Sequence, residues 1–311
     1  MSEPFIDILM ATYNGERFVG EQIDSIQRQT WKKWRLLVSD DCSVDGTLDV
    51  VRRYAAGDDR IRIISENVKH GGAKENFFAL MGYSDAPYCM FCDQDDVWLP
   101  EKVEKTLNIV KRLEAESPDS PVLVFTDMKV VDGELNVVDG SFERFSAIDP
   151  ARTAFPQVVA QSLGAGCTMM GNATVRDAAL RIEKVDDVIM HDWWVSLIAA
   201  AFGSIGYLDE PTSMYRQHGM NEIGALEYSP VRRASHFDEM RESVAATLKQ
   251  ARVFRSCYGE LMDRHQLKAI DEFLAAGNAK GVHAVLHLVR SGCWKKGLRK
   301  VGQIAVVVAG A

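Results

Sequence analysis

Residues 88–96 read YCMFCDQDD: five residues with apolar bodies, then three carboxylates in four positions. An uninterrupted apolar run of this length suits a strand buried on both faces. The abrupt change to acid marks where that strand ends. Four more segments have the same form. FIDILMA (5–11) runs into TYNG, and WRLLVSD (34–40) runs into DCSVDGT. IRIIS (61–65) leads to the glycine pair of HGGAKENFFALMGYS, and VLVFTD (122–127) stops at an acid. Between them lie helical patterns: 16–30 through Phe18, Ile23 and Ile26; about 47–54, capped by Ser43 or Asp45; the stretch after Gly72; and Pro100 to about Glu114. A proline suits the first turn of a helix. Strands alternating with helices of these lengths predict βαβ units, a mainly parallel sheet and helices on both faces. In such a sheet the loops after strands one, two and four share the carboxyl edge, where ligands bind. TYNG, SDDCS and CDQDD would then face one another.

The second half is less regular. GAGCTMMGN (164–172) reads as a glycine-bounded strand, HDWWVSLIAAAFG (191–203) as an apolar helix, and YLDEPTSMYRQHGMN (207–221) as a strand or two ending in a loop. Residues 231–277 are helical in pattern. The simplest division is an α/β catalytic domain over 1–228 and a helical C-terminal region over 229–311.

Composition narrows the function. A chain of 311 residues with 47% hydrophobic and 26% charged residues can bury a substantial core. Its net charge of −8 argues against general nucleic-acid binding. The six cysteines are irregularly spaced, and Cys89 and Cys92 lie inside an apolar strand, so they read as buried small hydrophobes. MSEPFIDILMATYNG has neither a basic leader nor a long apolar core, and no run is long enough to span a bilayer. A reduced, cytoplasmic location is the expectation.

Several short segments can carry chemistry. The acids of CDQDDVW repel one another unless a cation compensates, and hard oxygens at this density suit Mg2+ or Mn2+. Asp93 and Asp95 are two apart, so an extended backbone points both to one side. The bland alternative is a solvated acidic turn; Asp96 reads as the cap of the next helix. Asp41 in SDDCSVDGT either accepts hydrogen bonds from a base or ribose, or satisfies turn amides. Asp192 in HDWW is either a general base or a helix N-terminal acid held by the dipole. Trp193 and Trp194 form either a sugar-stacking wall or core. His218 completes a metal site or is ordinary surface; Arg216 meets a diphosphate or an acid elsewhere. Neither G-x-x-x-x-G-K-[ST] nor G-x-G-x-x-G follows the first strand. ATYNGERF suits a base or ribose better than a pyrophosphate.

The ordered set ATYNG, SDDCSVDGT, CDQDDVWLPEKVEK, HDWW and YRQHGMN resembles family 2 glycosyltransferases of the GT-A fold, over roughly residues 5–225. DQDDVW with HDWW and YRQHGMN looks similar to bacterial rhamnosyltransferases of surface polysaccharide synthesis, such as O-antigen. The resemblance implies that Thr12, Tyr13 and Asn14 line the nucleotide pocket, with Asp41 on the base and Asn76 near the ribose or diphosphate. Asp93-Gln94-Asp95 would be the D-x-D motif, with Asp93, Asp95 and His218 around Mg2+ or Mn2+ and Asp95 the more direct ligand. Gln94, Trp193 and Arg216 join the nucleotide-sugar set, and Asp192 matches the catalytic base. The implied reaction is inverting transfer, from dTDP-β-L-rhamnose in the closest version, to a hydroxyl of a glycan or lipid-linked glycan. A UDP-hexose donor is the rival on the same scaffold. A sugar nucleotidyltransferase is the rival of another class, but it needs basic residues around a triphosphate, and the first loop offers only Arg17.

After Glu272 no acid occurs, while Lys280, Arg290, Lys295, Lys296, Arg299 and Lys300 interleave with Val285, Leu286, Leu288, Val289, Trp294, Leu298, Val301 and Ile304. Such a segment suits an anionic membrane surface, which here would be the inner face of the cytoplasmic membrane. The alternatives are a helix packed on the acidic body and a contact with a second copy of the chain.

Overall fold

The computed structural model describes residues 3–66, 68–218 and 237–310. Its strands are β1 (Ile6–Thr12), β2 (Trp34–Asp40), β3 (Ile61–Ser65), β4 (Tyr88–Cys92), β5 (Val97–Trp98), β6 (Val122–Val131), β7 (Val137–Asp139), β8 (Met170–Asn172) and β9 (Ser204–Arg216). They form one sheet in the order β3-β2-β1-β4-β8-β6-β9-β5, with β7 paired to β6. The β3-β2-β1-β4 half is parallel. β8 runs antiparallel between β4 and β6, β9 lies parallel to β6, and β5 is antiparallel to β9. The chain steps from β1 to β2 in one direction and reaches β4 on the other side of β1. That reversal opens a crevice at the carboxyl edge between the loops after β1 and β4.

The strands read as apolar runs because both faces are covered. Ile6, Ile8 and Met10 join Leu36, Val38, Met90 and Trp34 on one face. Leu9, Leu37, Cys89 and Phe91 belong to the other. Cys89 and Cys92 are both buried, as the sequence suggested.

Helices α1 (Val19–Gln27), α2 (Thr47–Gly57), α3 (Ala73–Tyr83) and α4 (Lys102–Glu116) connect the first half. Asp96 does not cap α4. That helix starts six residues later, with Glu101 at its N-cap, while Asp96 is buried and accepts the Arg216 N–H at 3.2 Å. The strand expected at 122–127 continues to Val131, because β9 runs beside its full length. Residues 164–172 hold a single 3-10 turn, Gly166–Thr168, and only the three-residue β8.

Short helices α5 (Phe142–Phe145), α6 (Phe155–Ala160) and α7 (Ala173–Ala179) precede α8 (His191–Phe202). The chain ends in α9 (Phe237–Tyr258), α10 (Arg264–Asn278), α11 (Gly281–Ser291) and α12 (Leu298–Ala309). The division expected at 228/229 falls outside the described residues. Phe254, Tyr258, Ile270, Phe273, Leu288 and Val307 share one apolar cluster with Leu9, Phe91 and Trp194. The last helices thus extend the core of the sheet's second face.

Candidate functional site

Thr12 and Asp40 end two parallel strands in register. The Thr12 hydroxyl donates to Asp40 Oδ1 at 2.8 Å, and Asp40 also accepts from the Ser43 hydroxyl and N–H at 2.6 and 2.8 Å. Asn14, at φ 47°, donates its N–H to Ser43 Oγ and accepts the Val44 N–H, both at 2.9 Å. Gly15 N–H donates to Thr47 Oγ1 at 2.8 Å. Loops one and two are therefore zipped into a single cradle. Thr12 is buried and spends its hydroxyl inside it, whereas the Tyr13 ring stands exposed at its lip.

The third loop is tied to this cradle by an amide clasp. Gln94 Oε1 accepts the Tyr13 N–H at 2.9 Å, and Gln94 Nε2 donates to the Tyr13 carbonyl at 2.8 Å. A Cβ on Gly15 would overlap the Gln94 amide, so a side chain there would displace the clasp. Asp41 accepts the backbone N–H groups of His70, Gly71 and Gly72. The glycines sit at φ 102° and 141°, which other residues rarely adopt. Of its two sequence readings, the structure displays the amide-satisfying one. Asn76 donates to the Ser39 carbonyl at 2.9 Å, and its buried Oδ1 has no partner.

The acidic loop leaves β4 between this cradle and the end of β9. Asp95 Oδ2 lies 2.8 Å from His218 Nε2. His218 stacks on Phe18 at 4.7 Å. Gly219–Asn221, the rest of the YRQHGMN motif, lie outside the described residues. Asp93, Asp96 and Cys167 bring ligand atoms within 4.8 Å of one another. Burial, then Asp95 and Asp93, push the Asp96 carboxyl well above its ordinary range, and one of its oxygens has no partner. Arg216 is buried beneath the loop. Its guanidinium donates to the carbonyls of Asp95 at 2.9 Å and Gly133 at 2.6 Å, pairs with Glu21 and lies over the Phe18 ring. It thus meets an acid elsewhere, the second of its two sequence readings, and braces the acidic loop from behind.

Asp192 opens α8. Its Oδ1 accepts the Trp193 N–H at 2.6 Å, and desolvation raises its carboxyl to about 6 against further backbone N–H bonds, including that of Gly166. Helix-end acid and candidate base are therefore the same group: the N–H donors hold it in place, and burial keeps it basic. Trp194 is wholly buried core, as the bland reading had it. The Trp193 indole N–H donates to the Val158 carbonyl at 2.7 Å, and its ring packs against the core cluster. His191 is buried between Phe77 and Phe91, and burial lowers its ring to about 3, so it is a neutral aromatic spacer.

One short element joins the acid loop to Asp192. The turn Gly166–Thr168 carries Cys167 against Asp93 and Asp96. A Cβ on its Gly166 would lie 3.3 Å from Asp192 Cβ. The sequence reading missed this turn. It also missed Asp40 and Thr47, which hold the cradle with Ser43, read there only as a helix cap, and Glu21, which holds Arg216. Glu143 went unnoticed as well: it is buried beside Asp127, raised to about 8 by desolvation and then by that neighbour, with Gly164 packed against it. The available signals were an acid, Asp127, within the apolar run of β6 and glycines at 164 and 166.

The family model described as Glycosyl transferase family 2 matches residues 7–140. The dTDP-rhamnosyl transferase RfbG of Shigella flexneri is 30% identical over 229 residues, covering 70% of this chain and 74% of that protein. S. aureus TarS in complex with UDP-GlcNAc superposes with a TM-score of 0.57 at 14% identity, over 97% of this chain and 90% of that one. The mannosyltransferase PcManGT from Pyrobaculum calidifontis, in complex with GDP-Man and Mn2+, gives 0.52 at 16% identity, over 99% and 87%. The shared architecture is the GT-A fold expected from the sequence.

Proposed function

The chain belongs to glycosyl transferase family 2 and is a glycosyltransferase, and from that premise we propose that it transfers L-rhamnose, with inversion, from dTDP-β-L-rhamnose to a hydroxyl of a glycan or lipid-linked glycan. The RfbG relative supports the donor. The observation that carries the chemistry is the Gly166–Thr168 turn, which touches the acid loop on one side and Asp192 on the other.

The acid loop fits a divalent cation. Burial, then Asp95 and Asp93, raise the proton affinity of Asp96, and a buried Asp96 oxygen lacks a partner, so the site is short of positive charge. Carboxylate oxygens with one imidazole suit Mg2+ or Mn2+. Asp93, Asp95 and His218 would hold the ion. When bound, it supplies the charge that neutralises a departing nucleoside diphosphate. Arg216 and Gln94 serve by position: one fixes the backbone of Asp95, the other fixes Tyr13 against the acid loop. The exposed Tyr13 ring offers a stacking surface to the base.

Asp192 takes the proton of the acceptor hydroxyl. The freed oxygen forms a bond to the anomeric carbon as the bond to the diphosphate oxygen breaks. The diphosphate leaves with the electron pair, and the proton stays on the Asp192 carboxyl. Attack opposite the leaving group inverts the centre, so a β-linked donor yields an α-rhamnoside.

Two measurements test this reading. A thermal-shift screen with Mn2+ compares dTDP-L-rhamnose with UDP-glucose and UDP-GlcNAc; the rhamnose donor should give the largest stabilisation, and a larger one from a UDP-sugar reassigns the donor. Product analysis by NMR with dTDP-L-rhamnose and candidate acceptors should show an α linkage, and turnover that survives EDTA removes the metal from the mechanism.

A further inference from the structure

Helices α11 and α12 pair as an antiparallel hairpin. A Cβ on Gly310, at the end of α12, would lie 2.9 Å from Lys280 Cε, just before α11. Its orientation is fixed from within. Ala284 and Leu288 of α11 and Val306 and Val307 of α12 are buried in the core cluster. Buried Gln303 accepts the Lys295 N–H at 3.0 Å and donates to the Cys293 carbonyl at 2.9 Å, clamping the connecting loop.

The opposite face is the anomaly. A helix at a protein surface ordinarily turns polar residues to water. Here Val282, Leu286 and Val289 of α11 follow one another at i, i+4 and i+7 on the solvent side. Leu298, Val301, Ala305 and Val308 do the same along α12. The six larger side chains are between 41% and 67% exposed. Among the exposed residues of α12 only Lys300 is polar. The helices are antiparallel, and each carries its apolar row on its exposed side.

The basic residues of the tail divide in two. Lys295 donates to Ser243 Oγ at 2.9 Å, Lys296 lies 3.6 Å from Asp149, and Arg299 donates to the Ser146 carbonyl at 2.8 Å, so these three fasten the hairpin to the body. Lys280 and Arg290 are exposed, as is Lys300, whose ammonium lies 4.0 Å from the Trp294 ring centroid. A cavity of about 220 Å³ lined by Ala147, Lys296, Gly297, Leu298 and Arg299 lies at the root of the hairpin, where cations meet an exposed leucine.

We propose that the outer face of the α11–α12 hairpin docks on an anionic lipid surface, its apolar rows entering the acyl boundary and Lys280, Arg290 and Lys300 resting among the headgroups. Charge decides between lipid and a second copy. No acid follows Glu272, so pairing two hairpins face to face would oppose like charges, whereas an anionic leaflet complements them. No helix among the described residues is long and apolar enough to cross a membrane, and the contact is therefore a surface one. It does not depend on the donor or the base assigned above.

Truncation is a poor test, because removing the hairpin strips Leu288, Val306 and Val307 from the core. Point changes on the exposed rows avoid this. The full chain, Leu286→Glu/Val301→Glu, and Lys280→Glu/Arg290→Glu are floated with vesicles of phosphatidylcholine with and without phosphatidylglycerol. Circular dichroism, thermal melts and light scattering accompany each. Wild type should float with the anionic vesicles only, and each double variant should lose at least about tenfold in binding with unchanged melting. Failure of wild type to float, or equal flotation of the folded variants, overturns the proposal. A wild-type dimer that Leu286→Glu/Val301→Glu dissociates also overturns it, assigning the face to a second copy.

Discussion

The raised carboxyl of Asp192 makes a quantitative demand on the pH profile. Burial moves it from an ordinary 3.8 to about 6. Catalysis by the carboxylate then follows its ionised fraction, roughly 91% at pH 7 and roughly 9% at pH 5, a tenfold fall. An unshifted aspartate would be about 94% ionised at pH 5, and the rate would hardly move. Acid unfolding through this group does not mimic the effect. Its folded-state value lies above the unfolded one, so between about 4 and 6 the folded state holds more protons and gains stability as pH falls. The assay is initial rate at saturating donor, acceptor and Mn2+ from pH 5 to 8, with donor affinity measured by calorimetry at each pH to separate binding from turnover. Asp192→Asn should cost about 10²–10⁴ in kcat and leave a residual rate without the acid limb. A flat wild-type profile with intact donor binding would refute the base assignment, as would near-normal turnover by the Asn variant.

Three further outcomes follow from the packing of the site. Arg216→Lys loses the forked grip on the Asp95 and Gly133 carbonyls and should weaken metal affinity by about 10–100-fold; an unchanged Mn2+ titration would show that the brace does not matter. Gln94→Ala opens the two-way clasp on Tyr13 and should raise donor KM about tenfold while kcat changes by less than about threefold, and a loss confined to kcat would contradict the positioning role. Gly203→Ala drives a Cβ into the Pro121 carbonyl and should destabilise the fold by roughly 1–3 kcal/mol, a drop of several degrees in Tm with metal binding intact; an unaltered melt would mean that the β6–β9 entry can yield.

Most of the parallel half was readable because its pattern is local. FIDILMA, WRLLVSD, IRIIS and YCMFC each carry their own burial, and each ends where a polar turn begins. The other half depends on partners distant in sequence. MKVV extends β6 only because β9 lies beside it, and DEPT stays extended in β9 although Pro211 interrupts the ladder, where the register against Asp127 shifts. Residues 164–169 look strand-like, yet they form a loop and a 3-10 turn because Gly164 and Gly166 are spent on close approach to Glu143, Phe125, His191 and Asp192. Such contacts leave a glycine in the sequence but not the identity of what approaches it.

The site was legible as a set of residues and much less as a set of duties, for the same reason. Asp40, Asp41, Asp93, Asp95, Asp96 and Asp192 are one residue type, and only their donors separate them. Asp40 is fully buried and takes two hydroxyls and an N–H, which makes it scaffold. Asp41, one position on, takes three successive N–H groups and fixes the glycine loop before α3. Asp95 faces an imidazole, whereas its neighbour Asp96 turns inward beneath Arg216. The alternation that would put Asp93 and Asp95 on one side does not hold, because the backbone turns at Gln94 and Asp95: Asp93 gathers with Asp96 and Cys167, while Asp95 faces His218; the spacing also does not say which side is wet. That is decided by Arg216, more than a hundred residues downstream, whose guanidinium occupies the inner side and leaves the outer one to Asp95 and His218. The basic residue expected to meet a diphosphate thus shapes the site by holding the acids that would carry the cation.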